Sequence, residues 1–124
     1  MAAPNIVNIS TIYGKTVGGD LTTTLTTAHL VCPADKVLKI NNIVTANIDG
    51  TDAVNISITF YDSSAVTSYA LAPTIALPAN STLVVLAKDS SIYLEEGDEI
   101  RGGASADSDA QIIISYEELD DATL

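Results

Sequence analysis

The chain has 124 residues, a hydrophobic fraction of 47% and a mean hydropathy of +0.30, which fits one folded domain and excludes a disordered polymer. Its formal net charge of −11 at pH 7 repels phosphate backbones, so we do not expect nucleic acid as a direct partner. Residues 89–124 hold eleven acids and one base, whereas residues 1–88 hold five acids and four bases. The nearly neutral part is therefore where we look first for a protein interface.

Cysteine use and the N-terminal segment indicate the compartment. Cys32 is the single cysteine, which excludes an internal disulfide and suits a reducing environment. Residues 1–5 lack a basic segment followed by a long apolar one, so we expect no signal peptide. No apolar run approaches the ~20 residues that cross a bilayer. We expect a soluble protein with no membrane partner, made in a cytoplasm.

The N-terminal segment alternates between two faces from Asn5 to Tyr13, which predicts either a strand or an extended arm. We expect an arm of residues 1–13 to reach a neighbouring subunit. Glycines at positions 14, 18 and 19 then bracket a short piece, and the β-branched segment Thr22–Thr27 predicts further strand. The residues expected to form the arm interface are Asn5, Ile6, Val7, Ile9, Ile12 and Tyr13.

The middle of the chain predicts a β-hairpin. Lys36–Ile48 is the longest strand candidate, and Asp49-Gly50 is a strong signal for the turn that follows it. Alternation predicts a core face on each strand. For the first strand this face is Leu38, Ile40, Asn42, Val44, Ala46 and Ile48, and for the return strand it is Val54, Ile56, Ile58 and Phe60.

The remainder of the chain predicts more short strands. Tyr69–Leu77 contains Pro73, which cannot donate to a ladder, so this segment is expected at a sheet edge. The other expected elements are a strand at 82–87, a strand from Ile92 into a turn at Gly97-Asp98, a strand from Ile100, a loop at 102–109, a strand at 111–116 and a short acidic tail at 117–124.

Eight or nine short strands at this spacing predict an all-β protein, namely a jelly-roll-like antiparallel β-sandwich formed by residues 1–124 as one domain.

Two short motifs resemble enzyme signatures without completing them. Gly14-Lys15-Thr16 has the end of a phosphate-binding loop, but Ile9 stands where that loop needs its first glycine. Gly103–Asp107 resembles a nucleophile elbow, but Asp107 replaces its last glycine and the only available base is His29. We therefore predict no enzyme activity and no catalytic residue.

Metal and cofactor signals are equally incomplete. His29 and Cys32 supply two ligands where a structural zinc site takes four. Acidic groups at turns, such as Asp49 with Asp52, follow no calcium-loop pattern, although carboxylates from separate hairpins could still converge on one ion. Aromatic residues make up only 5% of the chain, which supplies a sugar-stacking platform poorly. We predict no cofactor and no metal, and calcium at the turns stays open.

Three passages carry a resemblance to a known family. They are residues 47–53 with the alternating strand to Asp62, residues 78–85, and residues 92–98 with the closing segment 114–118. Together they resemble the small all-β virion proteins of tailed bacteriophages, in particular the head decoration, or cement, proteins of cyanophages. The passages are strands and turns, and no catalytic residue comes with them.

The resemblance implies a non-enzymatic structural protein of the virion. A capsid decoration protein that stabilises the head is the leading interpretation, and a neck, tail or baseplate component is an alternative. The implied partners are the major capsid protein or other virion proteins, together with copies of the chain itself, with a homotrimer favoured. The implied location is the capsid surface, after synthesis in the host cytoplasm. A carbohydrate- or receptor-binding jelly roll is the rival of a different class.

Overall fold

The computed structural model describes the backbone of residues 9–121 and the side chains of residues 11–120. This part contains nine strands, one 3-10 turn at Lys88–Ser90 and no α-helix. No helix within it is long and apolar enough to cross a membrane. The strands are β1 (Ile9–Leu21), β2 (Ala28–Val31), β3 (Lys36–Asn47), β4 (Val54–Asp62), β5 (Thr67–Leu77), β6 (Thr82–Leu86), β7 (Ile92–Leu94), β8 (Glu99–Ala104) and β9 (Ala110–Asp121).

The strands form two antiparallel sheets. The first has the order β1-β9-β3-β6. The short strand β7 lies on the same side of β3 as β6, and it pairs with Leu38–Ile40 whereas β6 pairs with Ile43–Ala46. The second has the order β2-β8-β4-β5. Successive strands cross between the sheets except at β4–β5 and β6–β7, which is the winding of a jelly roll. The β-hairpin predicted around Asp49-Gly50 is therefore wrong, because β3 lies in the first sheet and β4 in the second, and the segment between them crosses from one sheet to the other. The prediction of an all-β antiparallel sandwich is confirmed.

The core lies between the two sheets and consists of branched aliphatic side chains. Val54, Ile56 and Ile58 of β4 are at most 2% exposed, as the alternation predicts. Phe60 only packs against the margin of this core, where its ring stacks on Tyr69 with the centroids 6.4 Å apart. The largest fully buried apolar side chains are Leu21, Leu38, Ile40, Ile43, Ile56, Ile58, Leu94, Ile100, Ile112 and Ile114.

The core face expected for β3 is right in its first half and wrong in its second half. Leu38 and Ile40 are buried as predicted, but Ile43 is fully buried and Val44 is not. The register with β9 shifts between Ile40 and Asn42, which is the signature of a β-bulge. One extra residue reverses the facing of every later side chain. The buried residues after the bulge are therefore Ile43, Thr45 and Asn47.

Several element boundaries also differ from those expected. β1 runs without a break through the three glycines, because its pairing with β9 holds them extended, and Thr22–Thr27 is a loop between β1 and β2. The loop expected from residue 102 begins later, since β8 continues to Ala104. The acidic end expected as a tail from residue 117 is strand as far as Asp121, because β9 pairs there with β1.

The turn predicted at Gly97-Asp98 is hydrogen-bonded to the segments around Cys32, Ser63 and Glu95. Gly97 has φ of +86°, and its amide donates to the carbonyl of Cys32 at 3.0 Å. The buried carboxylate of Asp98 accepts hydrogen bonds from the amides of Ser63 and Glu95, each at 3.0 Å. A Cβ at Gly97 would lie 2.7 Å from Ser63 Oγ, so only glycine fits this position. This acidic turn is a structural junction and not a loose solvated loop.

Two alanine variants test the bulge directly. Ile43→Ala should lower the free energy of unfolding by about 2–5 kcal/mol, because it leaves a cavity in the core. Val44→Ala, the matched control one residue away, should change it by less than about 1 kcal/mol, because Val44 lies on the outer face. Urea unfolding measures both values. A larger loss from Val44→Ala than from Ile43→Ala would contradict the bulge.

Candidate interaction surface

The residues that resemble enzyme motifs are used structurally. His29 Nε2 lies 3.1 Å from the carbonyl oxygen of Gly102, and Ser105 Oγ accepts a hydrogen bond from the Asn55 amide at 3.0 Å. Gly14 and Lys15 lie within a regular strand and not in a phosphate-binding loop. Across the described part of the chain, no three His, Cys, Asp or Glu side chains are grouped to hold a metal ion.

Cys32 is placed for packing and not for reaction. It is 2% exposed, and its thiol donates to the carbonyl of Lys36 at 3.2 Å. Burial, as the largest cause, raises the pKa of this thiol to about 11. The thiolate is the reactive form of cysteine, so this residue is suited neither to nucleophilic chemistry nor to a disulfide between subunits.

The sheet edges differ in how open they are to another chain. β2 has only four residues, and β6 and β7 have five and three with a 3-10 turn between them. β5 contains Pro73, as predicted for an edge, and its register with β4 shifts twice. Short strands, prolines and bulges are the features by which proteins prevent edge-to-edge pairing. Three of the four edges are therefore protected.

The fourth edge, β1, is long and regular. Its pairing with β9 is continuous from Thr11 to Leu21, and in the described part of the chain no strand pairs with its other side. Ile12 is 62% exposed and Tyr13 50% exposed. Lys15 and Asp20 are the only charged residues between positions 11 and 21. An unpaired row of backbone donors and acceptors of this length can accept a further strand.

A group of charged side chains lies beside the N-terminal half of β1. Lys15 Nζ is 3.3 Å from Glu118 Oε2, and Lys36 pairs with both Glu118 and Asp120. The hydrogen bond from Lys36, followed by one from Thr11, lowers the pKa of Asp120 below its usual value. The two lysines thus balance part of the acidic run on β9, so the edge next to it is less acidic than the sequence alone indicates.

The outer face of the first sheet carries an apolar row that begins at β1. The β-pairings align Gly18 of β1 with Ile113, Val44 and Val84 on the three following strands. Ile113 is 48% exposed and Val84 is 56% exposed. The open edge and this row adjoin each other, and we name the two together the β1 surface.

The residues expected in an arm have different positions relative to the β1 surface. Ile9, Ile12 and Tyr13 belong to β1, where they pair with β9 of the same chain. Asn5, Ile6 and Val7 lie outside the described residues. Sequence reasoning missed the more important stretch, Thr16–Asp20, because its glycines looked like turns and its partner strand is about ninety residues away. The run of three consecutive β-branched residues, Ile112–Ile114, was the signal that a strand lay there to pair with it.

Comparison with known proteins gives a fold and no family. No family model matches the chain. No curated protein matches it either.

Solved structures of all-β shell and fibre proteins are similar to it. Bacillus endospore appendages, which form disulfide-linked pili, align with a TM-score of 0.51 and 17% identity over 89% of this chain and 88% of the other. The particle of the extra small virus of Macrobrachium rosenbergii aligns at 0.42 and 10% identity over 95% and 86% of the two chains. A pentameric capsid protein from metagenomic phage sequences aligns at 0.39 and 15% identity over 98% and 68%. At such identities only the first likeness bears on the fold, and none bears on function.

The charged group beside β1 makes a pH-dependent prediction. In Lys36→Met the pKa of Asp120 should return toward its ordinary value of about 3.9, because the main cause of its lowering is removed. A lowered folded-state pKa contributes stability above the unfolded-state pKa, and that contribution disappears as the pH falls through the folded-state value. The stability difference between wild type and variant should thus be present at pH 7 and vanish in acid.

NMR titration of the Asp120 carboxyl measures this shift, and Lys39→Met on the outer face of the same strand is the control. An unchanged Asp120 titration in Lys36→Met would disprove the interaction.

Proposed function

We propose that this chain is a non-enzymatic structural subunit of a virion, and that it decorates the capsid surface and stabilises the head. Its partners in this proposal are the major capsid protein and further copies of itself. One observation carries the proposal: three sheet edges are protected, while β1 is long and regular and, among the residues that the structure describes, has no partner strand on its other side. Proteins normally block an edge strand that does not pair with another chain, so an unblocked edge of this length supports a role in strand addition.

The distribution of charge supports a surface position with one side toward a lattice. The acids at turns, among them Glu95 and Asp107, are exposed, and their charge keeps particles apart in solution. The β1 surface, by contrast, presents Thr, Gly, Val and Ile with few charges. A surface of this kind can pair with a neighbouring protein through its backbone and then bury the adjoining apolar row.

The similarity to an appendage subunit does not extend to its covalent linkage. Those pili are disulfide-linked, whereas the only cysteine of this chain is buried and has a raised pKa. We therefore infer non-covalent contacts between subunits. Trimers are the assembly that the resemblance to decoration proteins implies.

A charge placed on the β1 edge should prevent assembly without unfolding the protein. Thr16→Lys adds a lysine to the exposed middle of β1, and lysine on an edge strand opposes pairing with another strand. Thr82→Lys adds the same charge at the opposite edge of the same sheet and is the control. Light scattering after size exclusion measures oligomers, and the variant Thr16→Lys should be monomeric at concentrations where the control still associates. Equal association of both variants would exclude β1 as the assembly edge.

Co-sedimentation tests the position in the virion. Purified protein is mixed with capsids that lack it and, separately, with purified tails. Saturable binding to capsids, in proportion to the number of capsid subunits, is the expected result. Binding only to tails or to head vertices would move the protein to the neck, tail or baseplate. Binding to neither would overturn the virion role. The light-scattering comparison would still show whether copies of the chain associate through β1.

A further inference from the structure

A groove of about 340 Å³ lies on the outer face of the second sheet, away from the β1 surface. Its floor is formed by β4, and its two sides are β5 and the loop between β1 and β2. All of its lining side chains are uncharged, in a chain whose net charge is −11. The hydrogen-bonding residues that line it are Thr23, Asn55, Ser57, Thr74 and Ser105, and Leu25 forms an apolar side.

Close backbone packing builds one wall of the groove. Gly103 of β8 lies directly beneath the β1–β2 loop, and a Cβ there would come within 2.6 Å of the Thr22 carbonyl oxygen. The loop is also held at Thr23, whose amide donates to Asp107 Oδ1 at 2.8 Å. Glycine at position 103 thus allows the loop to sit against the sheet, which places Thr23 and Leu25 beside the floor.

A bulge in the edge strand builds the opposite wall. Between the pairs Ile56–Ile75 and Ile58–Ala72, one residue of β4 faces two residues of β5, Pro73 and Thr74. Thr74 has φ of +48°, a conformation that β-branched residues rarely adopt. The result is that its hydroxyl lies 3.4 Å from Ser57 Oγ on the outer face. Bulges and strained backbone of this kind concentrate where a side chain must be aimed at a ligand.

The floor is rigid and still has unused hydrogen-bonding capacity. Ser105 is fixed to Asn55 by two hydrogen bonds, from its amide to the Asn55 carbonyl at 2.8 Å and from the Asn55 amide to its hydroxyl at 3.0 Å. The side-chain amide of Asn55 has no hydrogen-bond partner among the described residues. Hydroxyl and amide groups both donate and accept, so together they match a ligand that also does both.

From this geometry we propose that the groove binds a neutral saccharide. An anion would find no cation among the lining residues, and a cation would find no carboxylate. A wholly apolar ligand would leave the hydroxyl and amide groups buried without partners. An added peptide strand would find no open backbone, because β4 is paired on both sides along the floor. Sugar hydroxyls match the polar groups, and the carbon face of a sugar ring can rest on Leu25.

This site is independent of the assembly role, since it lies on the other sheet. No aromatic ring lines the groove, so binding depends on hydrogen bonds and not on ring stacking. The affinity for a single sugar unit is therefore expected to be weak, and the test must be sensitive to weak binding. Amide NMR meets that need and also locates the contact.

The test titrates the isotope-labelled full chain with glucose, galactose, mannose, rhamnose and N-acetylglucosamine, and with glucuronate and inorganic phosphate as charged probes. At least one neutral sugar should shift the amide signals of Asn55, Ser57, Thr74 and Ser105 in a saturable way. Ser57→Ala and Asn55→Ala should each weaken binding about three- to tenfold, as expected for one lost hydrogen bond. Thr82→Ala, an exposed threonine on the first sheet, should bind like the wild type.

Each other result overturns the proposal. These results are the absence of shifts with every neutral sugar, shifts confined to another part of the surface, stronger binding of glucuronate or phosphate than of neutral sugars, or unchanged binding by both groove variants. Thermal melting of each variant checks that it is folded, and both groove residues sit at positions where alanine leaves the core intact.

Discussion

The pairing of β9 with two other strands is the constraint on which the rest of the sandwich depends. β9 lies inside the first sheet and pairs along nearly its whole length with β1 on one side and β3 on the other. These partners come from the beginning and the first half of the chain, so the sheet cannot close until the last strand is in place. Such pairings between distant segments are costly to form and make folding slow. They also explain why β1 stays extended through three glycines, since its only strand partner in the described part of the chain holds it straight.

The same arrangement decides which long sheet edge is left without a second strand partner in the described part of the chain. Because β9 pairs with one edge of β1, the other edge of β1 forms the margin of the first sheet. The remaining sheet margins are formed by short strands or by a strand with bulges. The lysines next to β1 balance part of the charge of β9, so this margin is less acidic than the sequence alone indicates. The apolar row across the outer face then continues the edge into a broader contact area. Together the β1 edge and this row form a continuous surface on the described part of the chain, and this surface is the basis of the assembly proposal.

Alternation and turn chemistry predicted the class of fold, the break between two strands at Asp49-Gly50 and the buried face of β4 as far as Ile58. They did not predict that the two strands on either side of this break belong to different sheets. They failed at positions where a distant partner decides the local structure. The bulge in β3 has no local signal, because Asn41 resembles any other polar residue on an alternating strand. The glycines of β1 looked like turns, and those of β8 looked like a loop, although Gly103 serves to admit a neighbouring backbone. The arm predicted from the sequence includes Ile12 and Tyr13, which lie in β1, but not the regular stretch beyond them, and its contact with a neighbouring subunit stays a prediction.

Hydrogen–deuterium exchange of the backbone amides, in the isolated protein and in its assembled form, tests the central claim that β1 is the assembly edge. In the isolated protein the outward amides of β1 should exchange rapidly, because they have no strand partner. On assembly they should become protected, while amides at the margins of β5 and β2 stay unchanged. Protection confined to β5, to β2 or to the acidic turns, with β1 still exchanging rapidly, would contradict the account.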